Sequence, residues 1–171
     1  ILQLSGYDIK IGTPSDGDAV GVWGHSPTSP RGEAVAAKTD APIVRVEDAF
    51  LRSVGTGRDG EPPLGLHIDT RGVHFDPSTP SDLEILLRDE PLDDHALLQR
   101  AKGAMEDLQR LSLSKYNKTD LTLPQPEPGY VLVIDQTRKD ASVTASGADL
   151  NTFREMLYYA QTEHPSAKIL I

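Results

Sequence analysis

The feature that most constrains this fold is the order of the first predicted elements, which is strand, helix, strand. Residues 19–23 form a short apolar run bounded by glycine and proline, as a buried strand does. The alanine-rich segment 31–38 predicts a short helix, and the β-branched run 42–46 predicts a second buried strand. This order is typical of a βαβ unit. We therefore predict an α/β fold with a Rossmann-like parallel sheet and helices on both faces.

A β-hairpin and two helices are predicted further along the chain. Residues 64–69 and 73–76 alternate in polarity on either side of a glycine-containing connection, which predicts the hairpin. Ser81 and Glu84 have the spacing of a capping box, which marks the start of a helix. A second helix is predicted over residues 93–113. Apolar side chains recur there every three or four positions and predict one buried stripe: Leu97, Ala101, Ala104, Leu108 and Leu111.

A proline-rich connector separates this region from the rest of the chain. Three alternating prolines in residues 123–129 cannot extend a helix and make a stiff linker. We place a domain boundary there, between a hairpin-containing domain over residues 1–122 and the truncated start of a second domain over 130–171. The second domain is predicted to contain a strand at 130–135, a helix at 149–163 and a strand at 168–171.

Both ends of the sequence resemble interior segments of a larger protein. The chain opens at Ile1 rather than at a methionine, and it closes in the apolar run 168–171. In a parallel α/β sheet, ligands bind at the carboxyl ends of strands and in the loops that follow them. We therefore expect a piece of a larger enzyme, with part of its site outside this chain.

Composition excludes several functional classes. The net charge of -9 argues against nucleic acid, because neutralising phosphates requires clustered lysine and arginine. The sequence has no cysteine, which removes thiolate sites and fits a reducing, cytoplasmic compartment. The histidines lack metal-ligand spacing, so we expect neither a metal nor another cofactor. His67 and His74 are best explained as polar residues on an exposed sheet face, and Trp23 is predicted in the core.

The first candidate site is an acidic pair with arginines on both sides. Glu47 and Asp48 directly follow the second predicted strand, with Arg45 before them and Arg52 and Ser53 after them. A strand end directs such groups into the crevice above the sheet. Arginines suit acidic sugars or phosphates, and one of the acids is available for proton transfer. The alternative is a solvated turn in which one of the two acids caps the next helix.

The second candidate site is the polar loop after the strand at 130–135. Its acid, amide, hydroxyl and basic side chains are suited to binding a substrate, and Asp140 is a candidate nucleophile or base beside Arg138 and Lys139. The alternative is helix capping or ordinary loop polarity. The other candidate substrate-binding residues of this loop are Gln136, Thr137 and Ser142.

Five segments taken together resemble one known family. In chain order they are VEDAFLRSVGTG, PPLGLHIDTRGVHFDPSTPSDLE, LSKYN, VLVIDQTRKDASV and FREMLYYAQTEHPSAKILI. From Trp23 onward the chain resembles the bacterial capsule polysaccharide β-Kdo transferases, also described as KpsC-type capsule polysaccharide biosynthesis or export proteins. Ala49 stands where the family pattern usually has glycine.

The resemblance implies a retaining glycosyltransferase with two facing Rossmann-like domains, the GT-B arrangement. It implies transfer of Kdo from CMP-β-Kdo to a growing poly-Kdo linker on a phosphatidylglycerol-type lipid. The partners are then the donor, the glycolipid acceptor and capsule assembly proteins, at the cytoplasmic face of the inner membrane. Residues 1–122 correspond to the acceptor-side domain of a first module, and 130–171 to the start of its nucleotide-binding domain.

The resemblance also implies roles for the candidate residues. Asp140 is the implied nucleophile, and Glu47 and Asp48 are the acidic pair, since retention needs one carboxylate to attack and another group to manage the proton. Kdo and CMP are anionic, so the resemblance implies that Arg45, Arg52 and Arg138 bind their negatively charged groups. The family's nucleotide-binding His-Pro segment is expected beyond residue 171, so this chain is expected to be inactive by itself.

Two other functional classes compete with this one. A non-catalytic binding or export-associated module of a capsule pathway is the alternative. The presence of Glu47, Asp48 and Asp140 together favours catalysis, because a pure binding module has no need of all three. A hydrolase or a nucleotide-binding domain has no support, since neither a Gly-x-Ser-x-Gly elbow nor a phosphate loop occurs.

Overall fold

A computed structural model describes residues 1–171 and divides them into two compact units. Unit 1 comprises Ile1–His74 and Thr79–Thr119, and unit 2 comprises Phe75–Ser78 and Asp120–Ile171. Each unit has its own sheet. The linker at 123–129 and the acceptor-side and nucleotide-side assignments stay predictions. The elements are β1 (Val20–Trp23), α1 (Ser29–Thr39), β2 (Ile43–Asp48), β3 (Leu66–Asp69), α2 (Asp82–Asp89), α3 (His95–Arg110), β4 (Tyr130–Leu132), α4 (Ala141–Ala145), α5 (Leu150–Glu163) and β5 (Lys168–Leu170).

The predicted βαβ unit is confirmed in unit 1. β1 and β2 pair in parallel, with Val22 opposite Arg45. α1 packs closely on this pair, because a Cβ at Gly32 would lie only 2.5 Å from Cγ1 of Val22. Val22 is buried, and so is Ala36 of α1. Trp23 is 42% exposed, so its predicted place in the core was wrong.

The sheet of unit 1 is mixed rather than parallel. β3 runs antiparallel to β2, which places His67 opposite Glu47 and Leu66 opposite Asp48. α1 is the helix that makes the extensive contact with this sheet. The α/β class was therefore predicted correctly, whereas the direction of the third strand was not. The prediction of an all-parallel sheet was therefore wrong, and helices on both faces stay a prediction.

The predicted hairpin does not form. Its first arm becomes β3, which pairs with β2, and its second arm, residues 73–76, forms no strand. The reason is Asp69, which is 1% exposed and accepts hydrogen bonds from the backbone N–H groups of Arg71, Gly72 and Asp82 at 2.7–2.8 Å. Such side-chain-to-backbone bonds favour a turn over a continued ladder. They lead the chain from β3 to the start of α2.

The capping box predicted for α2 is confirmed. Ser81 Oγ accepts a hydrogen bond from Glu84 N at 3.2 Å, and Glu84 Oε2 accepts one from Ser81 N at 2.7 Å. Ser81 is fully buried, so these bonds satisfy polar groups that water does not reach. The helix therefore begins where its sequence predicted.

α3 forms at the predicted place, but its apolar stripe is not buried. The helix begins after Asp94, whose carboxylate accepts a hydrogen bond from Leu97 N at 3.0 Å. The prediction of a buried stripe was wrong, because periodicity identifies an apolar face without showing what covers it. Leu108 is partly covered, whereas the other four members of the stripe are exposed: Leu97, Ala101, Ala104 and Leu111.

Unit 2 is built on two parallel strands and two helices. Tyr130 of β4 pairs with Lys168 of β5. α5 begins after Asp149, whose carboxylate accepts hydrogen bonds from the N–H groups of Asn151 and Thr152 at 2.8 and 3.1 Å. The predicted long helix and final strand are confirmed, whereas the predicted strand at 130–135 ends at Leu132. In both units, the helices lack the combined length and apolarity that crossing a membrane requires.

Candidate functional site

The acidic pair lies inside the end of β2 rather than after it. Glu47 and Asp48 are the last two residues of the strand, and strand geometry directs their side chains to opposite faces of the sheet. Neither residue caps a helix, so the capping alternative was wrong for this pair. The parallel strand β1 ends at the same edge, which is the edge where α/β sheets bind ligands.

Asp48 forms an ion pair with Arg52. Arg52 Nε donates to Asp48 Oδ1 at 2.8 Å, while Nη1 donates to Ser53 Oγ at 2.8 Å and to the carbonyl of Glu61 at 2.9 Å. Arg52 and Ser53 are 6% and 4% exposed. A Cβ at Gly57 would lie 2.6 Å from Nη2 of Arg52, so glycine leaves room for the guanidinium. These groups hold the loop after β2 together, and their contact with substrate stays a prediction.

Arg45 is directed towards α1. Its Nη2 donates to Glu33 Oε1 at 2.9 Å in a partly buried pair, and its Nη1 donates to the carbonyl of Gly24 at 2.8 Å. The N–H of Gly24 donates to the carbonyl of Val46 at 3.0 Å. Arg45 and the backbone of β2 therefore fix the turn that leaves β1, and substrate binding by Arg45 also stays a prediction.

Glu47 is the acid of the pair that has no arginine partner. Its carboxylate lies over Gly24, where φ is +40° and an added Cβ would overlap Oε1 of Glu47. Burial raises the pKa of the Glu47 carboxyl, while the positive charges of Lys115 and His25 oppose that rise. A half-buried carboxyl with a raised pKa is better suited to accepting a proton than an ordinary surface carboxylate is.

Two histidines join this region of the sheet. His67 is the cross-strand neighbour of Glu47, and its ring meets that of His74 edge-on at 5.4 Å. Nε2 of His67 is buried without a hydrogen-bond partner, 3.8 Å from Oδ2 of Asp69. Burial lowers the pKa of His74, and the charges of His67 and Lys115 lower it further. The prediction of two polar residues on an exposed sheet face was wrong, because Nε2 of His67 is buried and His74 lies on no strand.

A segment far along the chain is bonded to the loop after β2. The N–H groups of Arg52 and Ser53 donate to the carbonyl of Lys115 at 3.1 and 3.3 Å, and Ser53 forms an isolated parallel bridge with Tyr116. Asn117 Nδ2 donates to the carbonyl of Ser53 at 3.2 Å. These bonds hold Lys115 where its charge acts on Glu47. No site role was predicted for this segment, although its LSKYN string carries part of the family resemblance.

The polar loop of unit 2 contains Asp140 at the N-cap of α4. Asp140 Oδ1 accepts hydrogen bonds from Ser142 N at 2.9 Å and from Ser142 Oγ at 2.7 Å. The N–H of Asp140 donates to the carbonyl of Thr137 at 3.0 Å, which closes a turn. Asp140 therefore caps a helix here, and its role as nucleophile stays a prediction. Gln136 and Arg138 are exposed on the same loop.

The fold and this geometry define a class of protein. It is an α/β protein with a half-buried acid at the carboxyl ends of two parallel strands, surrounded by histidine and lysine. The side chains include no group of three histidines or acids placed to hold a metal ion. Basic groups beside a half-buried acid are suited to a substrate that carries negative charge.

Similarity to known proteins identifies the family of this chain. Residues 18–122 match the family described as "Capsule polysaccharide biosynthesis protein". The chain is 37% identical over 162 residues to the capsule polysaccharide modification protein LipA of Neisseria meningitidis serogroup B, covering 91% of this chain and 23% of LipA. It is 39% identical over 140 residues to the lipopolysaccharide-processing protein LpsZ of Rhizobium meliloti, covering 79% of this chain and 32% of LpsZ. The chain belongs to the capsule polysaccharide biosynthesis protein family, and it spans about a quarter to a third of these relatives.

Two solved structures are similar to this chain in fold. The β-Kdo 2,4 transferase of Thermosulfurimonas dismutans KpsC matches with a TM-score of 0.78 and 37% identity, over 87% of this chain and 47% of that one. The β-Kdo 2,7 transferase of the same KpsC matches with a TM-score of 0.58 and 27% identity, over 87% and 44%. These matches confirm the resemblance to KpsC-type proteins. Assignment to a first module stays a prediction.

Proposed function

We propose that this chain is part of a retaining glycosyltransferase of GT-B architecture that acts in capsule polysaccharide biosynthesis. The enzyme transfers Kdo from CMP-β-Kdo to a growing poly-Kdo linker on a lipid acceptor. The observation that carries the proposal is the half-buried carboxyl of Glu47 at the strand end, in a fold similar to that of a β-Kdo 2,4 transferase. In this proposal unit 1 belongs to the acceptor-side domain and unit 2 to the nucleotide-binding domain.

Glu47 is the proton-handling member of the acidic pair in this proposal. Asp48 is bound to the guanidinium of Arg52, so protonating it would disrupt a partly buried ion pair. Glu47 has no such partner, and burial raises its pKa. An acceptor hydroxyl must lose its proton as it attacks, and a carboxylate with a raised pKa is the better base for that step.

Asp140 is the nucleophile in this proposal. In the first step its carboxylate forms a bond to the anomeric carbon of Kdo, and CMP leaves with the bonding electrons. In the second step the acceptor hydroxyl attacks that carbon, Glu47 takes the hydroxyl proton and the Asp140 carboxylate is released. Ser142 fixes the orientation of Asp140 through two hydrogen bonds to one oxygen. The donor is bound with the help of Gln136, Thr137 and Arg138.

The proposed partners follow from this reaction. They are CMP-Kdo, a Kdo-bearing phosphatidylglycerol-type glycolipid and other capsule assembly proteins, with no nucleic acid among them. The full-length enzyme works in the cytoplasm, in peripheral contact with the inner membrane that holds the acceptor.

The test is transfer by the full-length protein from CMP-Kdo to an oligo-Kdo acceptor, measured by mass spectrometry of the product. Wild type is expected to extend the acceptor. Asp140→Ala and Glu47→Gln are each expected to lose on the order of a thousandfold in turnover while remaining folded, as a cooperative thermal melt would show. Asp140→Ala also loses the N-cap of α4, so a modest drop in its melting temperature is expected. Full-length wild type that binds the acceptor without extending it would identify a non-catalytic module of the pathway instead.

A further inference from the structure

The arginines at the candidate site are engaged inside the protein. Arg45 donates to Glu33 and to the carbonyl of Gly24. Arg52 is 6% exposed, and its guanidinium donates to the Asp48 carboxylate, to a hydroxyl and to a carbonyl. Both arginines were expected to bind an anionic substrate. In this structure both guanidiniums are paired with acids of unit 1, which leaves a role for a further cation that has no such partner.

Lys115 is a cation in a different situation. Its side chain is exposed, and its ammonium lies 5.7 Å from the centroid of the Tyr116 ring, with no carboxylate within ion-pair distance. Its backbone is fixed, because its carbonyl accepts the N–H groups of Arg52 and Ser53. An exposed ammonium is therefore carried by an anchored stretch of chain.

The surroundings of Lys115 place this ammonium at the candidate site. Its charge acts on Glu47 and on His74, which belong to the region at the end of β2. The backbone bonds of Lys115 to Arg52 and Ser53 hold it next to the loop that follows Glu47 and Asp48. A cation at this position offers an incoming anion a partner that the engaged arginines do not.

We propose that Lys115 binds an anionic group of the acceptor, a sugar carboxylate or a phosphate, and thereby holds the acceptor beside Glu47. The inference rests on the proposed function, which makes unit 1 the acceptor side and Glu47 the base. A charge-assisted contact next to the base orients the attacking hydroxyl, and orientation of this kind accelerates transfer. Lys115 is a binding residue in this scheme and takes no part in bond making.

The first experiment compares steady-state transfer by full-length wild type, Lys115→Gln and the matched control Lys118→Gln. Lys118 is also exposed, but its ammonium is paired with Asp59 at 3.5 Å. Lys115→Gln is expected to raise the KM for an oligo-Kdo acceptor on the order of tenfold, with the KM for CMP-Kdo near wild type. Lys115→Arg should restore part of the loss, and Lys118→Gln should behave as wild type. Equal melting temperatures show that the variants are folded.

The second experiment measures binding without turnover, so it remains decisive if the proposed reaction is wrong. Proton saturation-transfer NMR on the full-length proteins follows free Kdo and its neutral methyl ester, and 31P line broadening follows inorganic phosphate. If the anion is the carboxylate, Lys115→Gln weakens binding of Kdo and leaves the methyl ester unchanged. If it is a phosphate, the variant weakens binding of inorganic phosphate alone. Unchanged binding of all three, with an unchanged acceptor KM, overturns the role of Lys115, whereas absent transfer by wild type overturns only the proposed function.

Discussion

At the residue scale, Glu47 and Asp48 are sequence neighbours with different surroundings. Strand alternation sends their side chains to opposite faces, so that Asp48 meets the Arg52 guanidinium and Glu47 lies over Gly24. The sequence shows that both acids are close to a strand end. It does not show which of them has an ion-pair partner, because that depends on the path of the loop that carries Arg52.

Glu47 should make the stability of the protein depend on pH. Because burial raises its pKa above the ordinary value of 4.5, the folded state holds this proton more tightly than the unfolded chain does. The free energy of unfolding should therefore fall as the pH rises from that value through the raised pKa. Glu47→Gln lacks this loss, so its stability relative to wild type should increase with pH. Urea unfolding at a series of pH values measures the difference in free energy of unfolding between Glu47→Gln and wild type. A difference that stays constant with pH would contradict the prediction.

Gly24 should be required for the position of Glu47. Gly24→Ala places a Cβ where the carboxylate lies and adds strain at a φ of +40°, at a cost of about 1–3 kcal/mol. In the full-length protein we expect kcat to fall by more than the smaller fraction of folded enzyme can explain. Gly21→Ala is the matched control, because no atom lies within 4 Å of its added Cβ. Equal kcat values for the two variants would show that the contact between Gly24 and the Glu47 carboxylate is unimportant for transfer.

At the element scale, features with a local cause were predicted well from the sequence. The βαβ unit follows from residues 19–46, and the start of α2 follows from Ser81 and Glu84. The direction of β3 was not predictable in this way, because it depends on pairing with β2 across a long loop. The alternating polarity of residues 73–76 predicted a strand, but the bonds of Asp69 to the backbone determine the local structure instead.

Asp69 should be a major contributor to stability. Asp69→Ala removes three hydrogen bonds to a carboxylate that is 1% exposed and leaves backbone donors near the start of α2 without an acceptor. We expect the free energy of unfolding to drop by about 3 kcal/mol or more. Asp89→Ala is the control, because Asp89 is exposed and pairs with its neighbour Arg88, and it should change stability little. Chemical denaturation measures both, and similar midpoints would contradict the assignment.

At the scale of the whole molecule, the candidate residues are divided between two units. Glu47, Asp48, Arg45, Arg52 and Ser53 belong to unit 1, and the loop of Asp140 belongs to unit 2. The prediction that these two sets of residues act in one reaction came from the family resemblance and not from spacing or periodicity. Lys115 and His25 were missed because neither lies next to the acidic pair in the sequence, and only the fold shows that their charges act on Glu47. The signal that could have found His25 is its place directly after a parallel strand.

This 171-residue chain should be inactive by itself. It spans about a quarter to a third of its curated relatives and about half of a similar transferase structure, so much of the substrate-binding surface is expected elsewhere. We expect that the isolated chain transfers no Kdo and shows no micromolar binding of CMP by calorimetry. The full-length protein is expected to transfer Kdo and to bind CMP. Micromolar CMP binding by the isolated chain would contradict this expectation.

The hydrogen bond between Asn117 and Ser53 has a consequence for the order of folding events. These residues are 64 positions apart, so the bond closes a long loop whose entropy must be lost before the contact forms. Contacts of this kind tend to form after local helices and neighbouring strands. Asn117→Ala should therefore speed unfolding in stopped-flow experiments and leave the refolding rate nearly unchanged. On that account, Lys115 reaches its place beside Glu47 only in the last stage of folding.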